Sequence, residues 1–457
     1  MHIDYVTAFL YSLNPKGIRF GLENTRYVLD KLGRPQDSFR SIHLAGSNGK
    51  GSTAAFLDSV LRSAGLKVGL YTSPHLSHFR ERFRINGIPV DDAEIGRAFD
   101  IMLARGLDID PRDVKEWIDE NDMIEKMSTS SWYTERGGGS EFCRLTFFEC
   151  TTVLAFLLFA RAGVQMAVVE TGMGGRLDAT NVLMPEVSVI TPIQLEHTAW
   201  LGETISAIAE EKAGIIKPGV PVVSARQKED ARFVIERVSS EQCTQVLWLD
   251  KDFSVDGSWQ DATYRIGGEN FGPIRLGLAG VHQVENSAVA LACLPLLEKP
   301  SWPLSQHIVN EGLCRVSWPG RFERFGDTGR WILDGAHNPD GIRVLSQTIK
   351  DVLGDEKVQL VFGVLGDKDA GPMLEELLHL SCHVHLARPR DARGRDPREL
   401  LEQIWAPTTI HSTVTEALET LDKFSDSPVL ITGSLTVVGE AREWLTDKYE
   451  NMKLCIN

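Results

Sequence analysis

Residues 41–53 read Ser-Ile-His-Leu-Ala-Gly-Ser-Asn-Gly-Lys-Gly-Ser-Thr, an apolar run that enters a glycine-rich turn and leaves it through a lysine and two hydroxyls. That order of residue types suits phosphate binding. Gly46, Gly49 and Gly51 let backbone N–H groups turn inward around phosphate oxygens. The helical pattern Ala54–Ala64 follows, so a helix N-terminus adds positive potential, Lys50 a full charge, and Ser52 a hydroxyl for a magnesium ion. With Asn48 and Thr53, this loop is expected to cradle the phosphates of a nucleoside triphosphate. Its spacing departs from the common P-loop. Only Ser47 and Asn48 separate Gly46 from Gly49, and Gly51 stands between Lys50 and Ser52.

Other candidates lie where strand-like runs end. Glu170 closes an apolar run before a glycine-rich turn; it suits magnesium, or alternatively caps that turn. Ser73-Pro74 follows Val68–Thr72 and by itself reads as an ordinary turn. His197 by itself reads as a hydrogen-bonded histidine. Lys212 reads as a lysine near a helix C-terminus at Gly214. Asn286 is a polar residue near a helix start, able both to donate and to accept.

The elements that must position these residues alternate along the chain. Ile42–Ala45, Val68–Thr72, Ala167–Thr171, Val187–Thr191 and Val220–Ser224 read as strands, with helical patterns at Ala54–Ala64, Phe148–Ala162 and Ile205–Ala213. This alternation predicts a parallel sheet wrapped by helices. Leu247–Gly277, with Gly267-Gly268, reads as short antiparallel strands. A second series follows Pro303: Trp331–Asp334, Gln359–Val364, His383–Ala387, Thr409–His411 and Val429–Thr432 as strands, Pro372–Leu380 and Val414–Leu421 as helices. The expectation is an α/β protein: a P-loop-containing parallel-sheet domain over residues 1–316, then a smaller Rossmann-like α/β domain over 317–457. The polar, acidic stretch Asp108–Glu141 reads as a solvated helix and flexible loop, or alternatively as a lid.

Composition narrows the function classes. A net charge of −15 over 457 residues argues against nucleic acid or an anionic membrane as partner, so an anionic ligand must be held by local charge. The seven cysteines never form C-x-x-C, which excludes a disulfide framework or zinc site of the usual spacing and points to a reducing, cytoplasmic setting. The most apolar run, Val153–Ala160, lies between Glu149 and Arg161 and is far shorter than the ~20 residues of a membrane span.

Taken together, several stretches resemble the folylpolyglutamate synthase and dihydrofolate synthase family of the Mur ligase group. Besides the phosphate loop they are Thr72-Ser73-Pro74-His75-Leu76, Leu145-Thr146-Phe147-Phe148-Glu149 and Glu170 to Asn181. Further on come Glu196-His197-Thr198, Glu211 to Lys217, Gly320-Arg321 and Asp334-Gly335-Ala336-His337-Asn338-Pro339. They run in order from Gly21 to Leu435. The resemblance implies a ligase that uses ATP and Mg²⁺ to join an amino acid to a carboxylate. It implies Ser52, Ser73 and Glu170 as magnesium ligands, His197 on a second magnesium, and Lys212 carrying a carbamate that helps hold that ion. Lys50, Glu170, His197 and Lys212 are then the catalytic set. Asn286 is implied at adenine, Arg321 at the phosphates, and Asp334 and His337 at ribose or phosphate.

The resemblance also implies a pterin site at Thr146, Phe147, Phe148, Glu149, Leu177, Asp178 and Ala179, with Phe20-Gly21-Leu22 nearby. Phe148 would stack on a flat ring, or alternatively belong to the core, and Asp178 would accept ring N–H groups. Glu196 departs from the aspartate usual before this histidine. The partners expected are small molecules (ATP, L-glutamate, and a folate or dihydropteroate), and the chain is expected to be a monomer. A cell-wall-type Mur ligase is a competing reading; the phosphate loop at Gly46 leaves no room for the extra amino-terminal domain those enzymes carry. A P-loop phosphotransferase or switch is another.

Overall fold

A computed structural model describes residues 1–13, 21–120, 122–124, 143–297, 305–366, 368–424 and 426–455. Phe20, Pro303 and the glycine-rich run 134–140 lie outside the described residues. The chain divides into two compact units, one of residues 1–75, 79–277 and 283–316, the other of 76–78, 278–282 and 317–457.

The first unit is built on an eight-stranded sheet. Its strands are β1 (Arg40–Ala45), β2 (Val68–Tyr71), β3 (Phe83–Ile85), β4 (Ile88–Pro89), β5 (Met166–Glu170), β6 (Val187–Ile190), β7 (Val222–Ser224) and β8 (Val246–Trp248). The spatial order is β4-β3-β2-β5-β1-β6-β7-β8, parallel from β2 to β8, with β3 and β4 added antiparallel at one edge. Each residue of β2, β5 and β6 is buried, which is why these strands read as unbroken apolar runs and not as alternating ones. Register sets Leu44 beside Glu170 and Tyr71 beside Val169, so the ends of β1, β2 and β5 open on one edge of the sheet. Phosphate-loop and acidic residues both start from that edge.

The helix Phe147–Ala162 fills the middle of the larger core. A capping box starts it: Thr146 Oγ1 accepts from Glu149 N, and Glu149 Oε2 accepts from Thr146 N. Gly163, at φ +65°, ends it in the left-handed conformation. Residues Glu149 to Phe159 are buried on every side of this helix. The helix Pro111–Glu120 tucks Val114 and Ile118 into the same core, so the expected solvated helix is corrected to an amphipathic one. Its apolar residues sit four apart, on one face.

The expectation for Leu247–Gly277 also needs correction at its start. Leu247 belongs to β8 and pairs with Val223 in the parallel sheet. The antiparallel part is β9 (Ser254–Asp256), β10 (Ala262–Ile266) and β11 (Glu269–Ile274), with Gly267 and Gly268 at positive φ in the β10–β11 turn.

The second unit holds a six-stranded sheet in the order β12-β13-β17-β14-β15-β16. Its strands are β12 (Glu323–Phe325), β13 (Trp331–Leu333), β14 (Val358–Phe362), β15 (Ser381–Ala387), β16 (Thr408–His411) and β17 (Val429–Thr432). All pairs are parallel except β12–β13. One face packs on Ile342, Leu345, Ile349, Met373 and Leu374, the other on Val414, Ala417, Leu418 and Val438.

Candidate active site

The phosphate loop leaves β1 at Gly46 and enters the helix Lys50–Ser63, whose N-cap is Gly49. Gly46 has φ +152° and Gly49 φ +86°, conformations that favour glycine. Space demands glycine as well. A Cβ on Gly46 would lie 1.8 Å from Thr191 Oγ1, and one on Gly49 would lie 2.5 Å from Asn286 Oδ1. The loop is tied to the segment after β6: Ser47 N donates to Pro192 O at 2.9 Å, and Asn48 Nδ2 to Gln194 Oε1 at 2.8 Å. Asn48 thus braces the loop through Gln194. The first-turn N–H groups of the helix at Lys50, Gly51 and Ser52 have no acceptor within the helix and form an anion cradle.

Two ammonium groups meet one oxygen of this loop. Lys50 Nζ donates to Gly46 O at 2.8 Å, and Lys212 Nζ to the same oxygen at 2.7 Å. Lys212 Nζ also donates to Glu196 Oε1 at 2.6 Å. Burial, and then the Lys50 charge, push Lys212 down to about 8, while Glu196 opposes the shift. For Glu196, burial raises the pKa, but the Lys212 and Lys50 cations outweigh it and leave the carboxyl below its usual range. The departure noted at Glu196 thus lies in direct contact with Lys212. His197 sits exposed at φ +48°, at the N-cap of the short helix Thr198–Leu201.

Glu170 and Ser73 come together at the ends of the paired strands β5 and β2: Ser73 N donates to Glu170 Oε2 at 3.3 Å. Ser52 Oγ is buried and accepts from Gln283 Nε2 at 3.3 Å, and Gln283 Oε1 accepts from Asn286 Nδ2 at 3.0 Å. The relay Asn286–Gln283–Ser52 joins the expected adenine residue to an expected metal ligand. Sequence reasoning singled out Asn286 but passed over Gln283, three residues before it. Hydroxyls and a carboxylate at this sheet edge fit a hard cation such as Mg²⁺, which prefers oxygen donors. Among the described residues, no three His, Cys, Asp or Glu side chains gather as a metal site, so the donors here are one carboxylate and hydroxyls.

The expected pterin residues divide into two kinds. Phe148 is half-buried, stacks on Tyr71 with ring centres 6.1 Å apart, and lies over Gly172, where a Cβ would come within 2.5 Å of Cζ. Phe147 stacks on Tyr11 at 5.5 Å, with the Arg82 guanidinium 5.1 Å from its ring centre. Arg82 Nε donates to His75 Nδ1 at 2.9 Å; this places the imidazole proton on Nε2, which faces Tyr11 OH at 3.3 Å. Tyr11, His75 and Arg82 form an aromatic and cationic wall that spacing alone did not reveal.

Thr146 and Glu149, in contrast, are engaged in the capping box. Asp178 is fully engaged too. Its Oδ2 accepts from Gly172 N at 2.9 Å and Met173 N at 3.0 Å, and its Oδ1 from Thr180 N at 3.0 Å and from Thr180 Oγ1. Asp178 clips the glycine turn that Phe148 lies on. Leu177 is half-buried and Ala179 buried beside it.

In the second unit, Asp334 Oδ2 accepts from Phe322 N and Oδ1 from Ala336 N, each at 2.9 Å. Desolvation raises its carboxyl, against the pull of Arg321. Arg321 Nη1 donates to Gly320 O at 3.1 Å and lies 2.5 Å from where a Cβ on Gly335 would sit. His337 Nδ1 faces Gly335 O at 2.8 Å. Asp334 thus shapes the turn that carries Arg321 and His337.

Residues 119–294 match the Mur ligase middle domain, and residues 320–435 the Mur ligase glutamate ligase domain. The folylpolyglutamate synthase of Lacticaseibacillus casei is 34% identical over 425 residues, with 92% of each chain covered. The dihydrofolate synthase/folylpolyglutamate synthase of Bacillus subtilis (strain 168) is 32% identical, over 94% of this chain and 96% of that one. A solved Mycobacterium tuberculosis folylpolyglutamate synthase, complexed with ADP and AMPPCP, superposes with a TM-score of 0.78 at 30% identity, over 96% of this chain and 99% of that one. On these matches along nearly its whole length, the chain belongs to the folylpolyglutamate synthase and dihydrofolate synthase family of Mur ligases.

Proposed function

We propose that this chain is an ATP-dependent ligase that forms the amide bond between L-glutamate and the carboxylate of a folate or dihydropteroate. The observation that carries the reading is the loop Gly46–Ser52, fitted so closely against Thr191 and Asn286 that only glycine serves at two of its positions, in a chain matched along nearly its whole length by such synthases.

A carboxylate resists attack by an amine because its oxygen is a poor leaving group. Transfer of the γ-phosphoryl of ATP to that oxygen gives an acyl phosphate. The glutamate amine then attacks the acyl carbon, and phosphate departs. Lys50 and the N–H groups of the first helical turn neutralise charge on the triphosphate as it shifts towards the leaving oxygen. Ser52, Ser73 and Glu170 are the residues that would hold Mg²⁺, which supplies further charge neutralisation when bound. His197, and Lys212 as a carbamate, would extend that set. Asn286 would meet adenine, while Arg321, Asp334 and His337 are proposed nucleotide residues of the second unit. Phe148 is the proposed stacking face for the pterin. Phe147 and the partly buried Leu177 flank it, and Thr146, Glu149, Asp178 and Ala179 act by holding the helix start and the glycine turn in place.

Both activities in the relatives' names, folylpolyglutamate synthase and dihydrofolate synthase, are proposed for this chain, acting as a cytoplasmic monomer on small molecules. No described helix is long and apolar enough to cross a membrane. The deciding experiment is a phosphate-release assay with ATP, glutamate and either dihydropteroate or tetrahydrofolate, with product mass read in parallel. Phosphate release should need all three substrates and track a glutamyl adduct. Release by ATP alone, indifferent to the other two, would favour a nucleotide switch instead.

A further inference from the structure

Cys143 and Cys150 face each other with their Sγ atoms 3.7 Å apart, and both side chains are buried. Cys150 stands at the fourth position of the helix Phe147–Ala162, and Cys143 lies four residues before that helix begins. Cys143 Sγ accepts the Leu145 N–H at 3.3 Å. A backbone N–H aimed at sulfur stabilises the thiolate, and the nearby helix N-terminus adds positive potential. A disulfide bond measures ~2.0 Å, so the two sulfurs need to close by about 1.7 Å. Neither the phosphate loop nor the pterin wall uses these thiols. Cys243, Cys314 and Cys382 are exposed, and Cys293 is buried with its thiol on Val289 O at 3.2 Å.

We propose that Cys143 and Cys150 are a redox pair that hydrogen peroxide closes to a disulfide, tying the segment that enters the helix Phe147–Ala162 to the helix itself. The Cys143 thiolate attacks one peroxide oxygen, the O–O bond breaks, and hydroxide leaves, giving a sulfenic acid. The Cys150 sulfur attacks that sulfenic sulfur, the S–O bond breaks, and the hydroxyl leaves as water with the Cys150 proton. The first hydroxide takes up the proton released from Cys143. Two thiols have then lost two electrons to one peroxide, which ends as two waters. Because both thiols are buried, peroxide access requires a local opening of 143–146. The ring so formed encloses Thr146, Phe147, Phe148 and Glu149. Its bearing on substrate handling rests on the pterin reading above, but formation of the bond does not.

The full chain is treated with hydrogen peroxide, alkylated, digested and mapped by mass spectrometry. The expected result is a Cys143–Cys150 cross-linked peptide, lighter by two hydrogens, that dithiothreitol restores to two alkylatable thiols. Cys150→Ser should leave a sulfenic acid on Cys143 that dimedone traps. The proposal is overturned if Cys143 and Cys150 both stay alkylatable after the exposed thiols have been oxidised. It is also overturned if Cys143 passes to sulfinic acid with no cross-link. The map of the unmutated chain decides the matter even if the variant fails to fold. It does so whether or not pterin acids prove to be substrates.

Discussion

Asp178→Ala is expected to act on the fold before it acts on any ligand. The carboxylate accepts four hydrogen bonds, three of them from the backbone N–H groups of Gly172, Met173 and Thr180. Truncation leaves those three donors without an acceptor, whereas Thr180 Oγ1 keeps His43 Nε2 at 2.8 Å. Hydrogen bonds to a charged group contribute ~1.5–3 kcal/mol each, and a buried donor left unsatisfied costs about 1–3 kcal/mol. These contributions overlap because the donors share one turn, so the expected loss is about 3–5 kcal/mol, a large part of a domain's ~5–15 kcal/mol. Asp178→Asn should lose less, about 2–3 kcal/mol, since its amide oxygen still accepts while its NH₂ confronts donors. Urea denaturation measures the shift, and hydrogen exchange of the Gly172, Met173 and Thr180 amides localises it. An Asp178→Ala protein with the parent's midpoint and amide protection, but a pterin-acid KM raised tenfold or more, would refute the structural role and return the carboxylate to the ligand.

Lys50→Ala should lower kcat/KM by ~10²–10³ through lost phosphate stabilisation, while the two carbonyl contacts it gives up change stability by only about 1 kcal/mol; a mutant that unfolds would place Lys50 in the scaffold instead. Glu170→Gln should raise the Mg²⁺ concentration for half-maximal activity by about tenfold or more, and an unchanged magnesium titration removes Glu170 from the metal site. Native mass spectrometry in bicarbonate should find the mass of one CO₂ on Lys212, and its absence from fully active enzyme rules the carbamate out. The second unit should lose stability in mild acid. Burial, followed by the charges of His383 and His411, holds His385 down to about 4; His411, 2.9 Å from it, is also lowered by burial, with Glu416 opposing. His385 is therefore neutral in the fold over a range where the unfolded chain would protonate it, near pH 6.5. The His385 contribution is complete above about pH 6.5 and fades as pH falls towards 4, by about 2 kcal/mol once screening is allowed for. His385→Gln should flatten that slope, and an identical pH profile in the variant would show the cluster to be inert.

The phosphate loop was readable in the sequence because its parts are contiguous: strand, glycines, lysine, hydroxyl and helix follow one another within residues 41–53. Most strand ends fell within about two residues of the observed ones for a similar reason, since doubly buried strands announce themselves as short β-branched runs. The misreadings have local causes. In 111–120 the acidic composition outweighed the four-residue spacing of Val114 and Ile118, and at Leu247 an apolar edge strand was merged with the hairpins beyond it. What stayed hidden depends on partners far apart in the chain. Gln283 meets Ser52 across 231 positions and Gln194 meets Asn48 across 146, and no periodicity records such meetings. The turn bonds of Asp178 were hidden as well, because a carboxylate beside glycines looks the same in sequence whether it faces a ligand or the turn itself.

The helix Phe147–Ala162 gives its first turn to the aromatic wall and is walled in by apolar neighbours from Glu149 to Phe159. It has no spare surface on which to absorb change. Thermal inactivation and melting of the larger unit should therefore coincide. Any drift in substrate choice has to be sought in the loops that meet the helix end, since deeper residues cannot vary without loosening the whole.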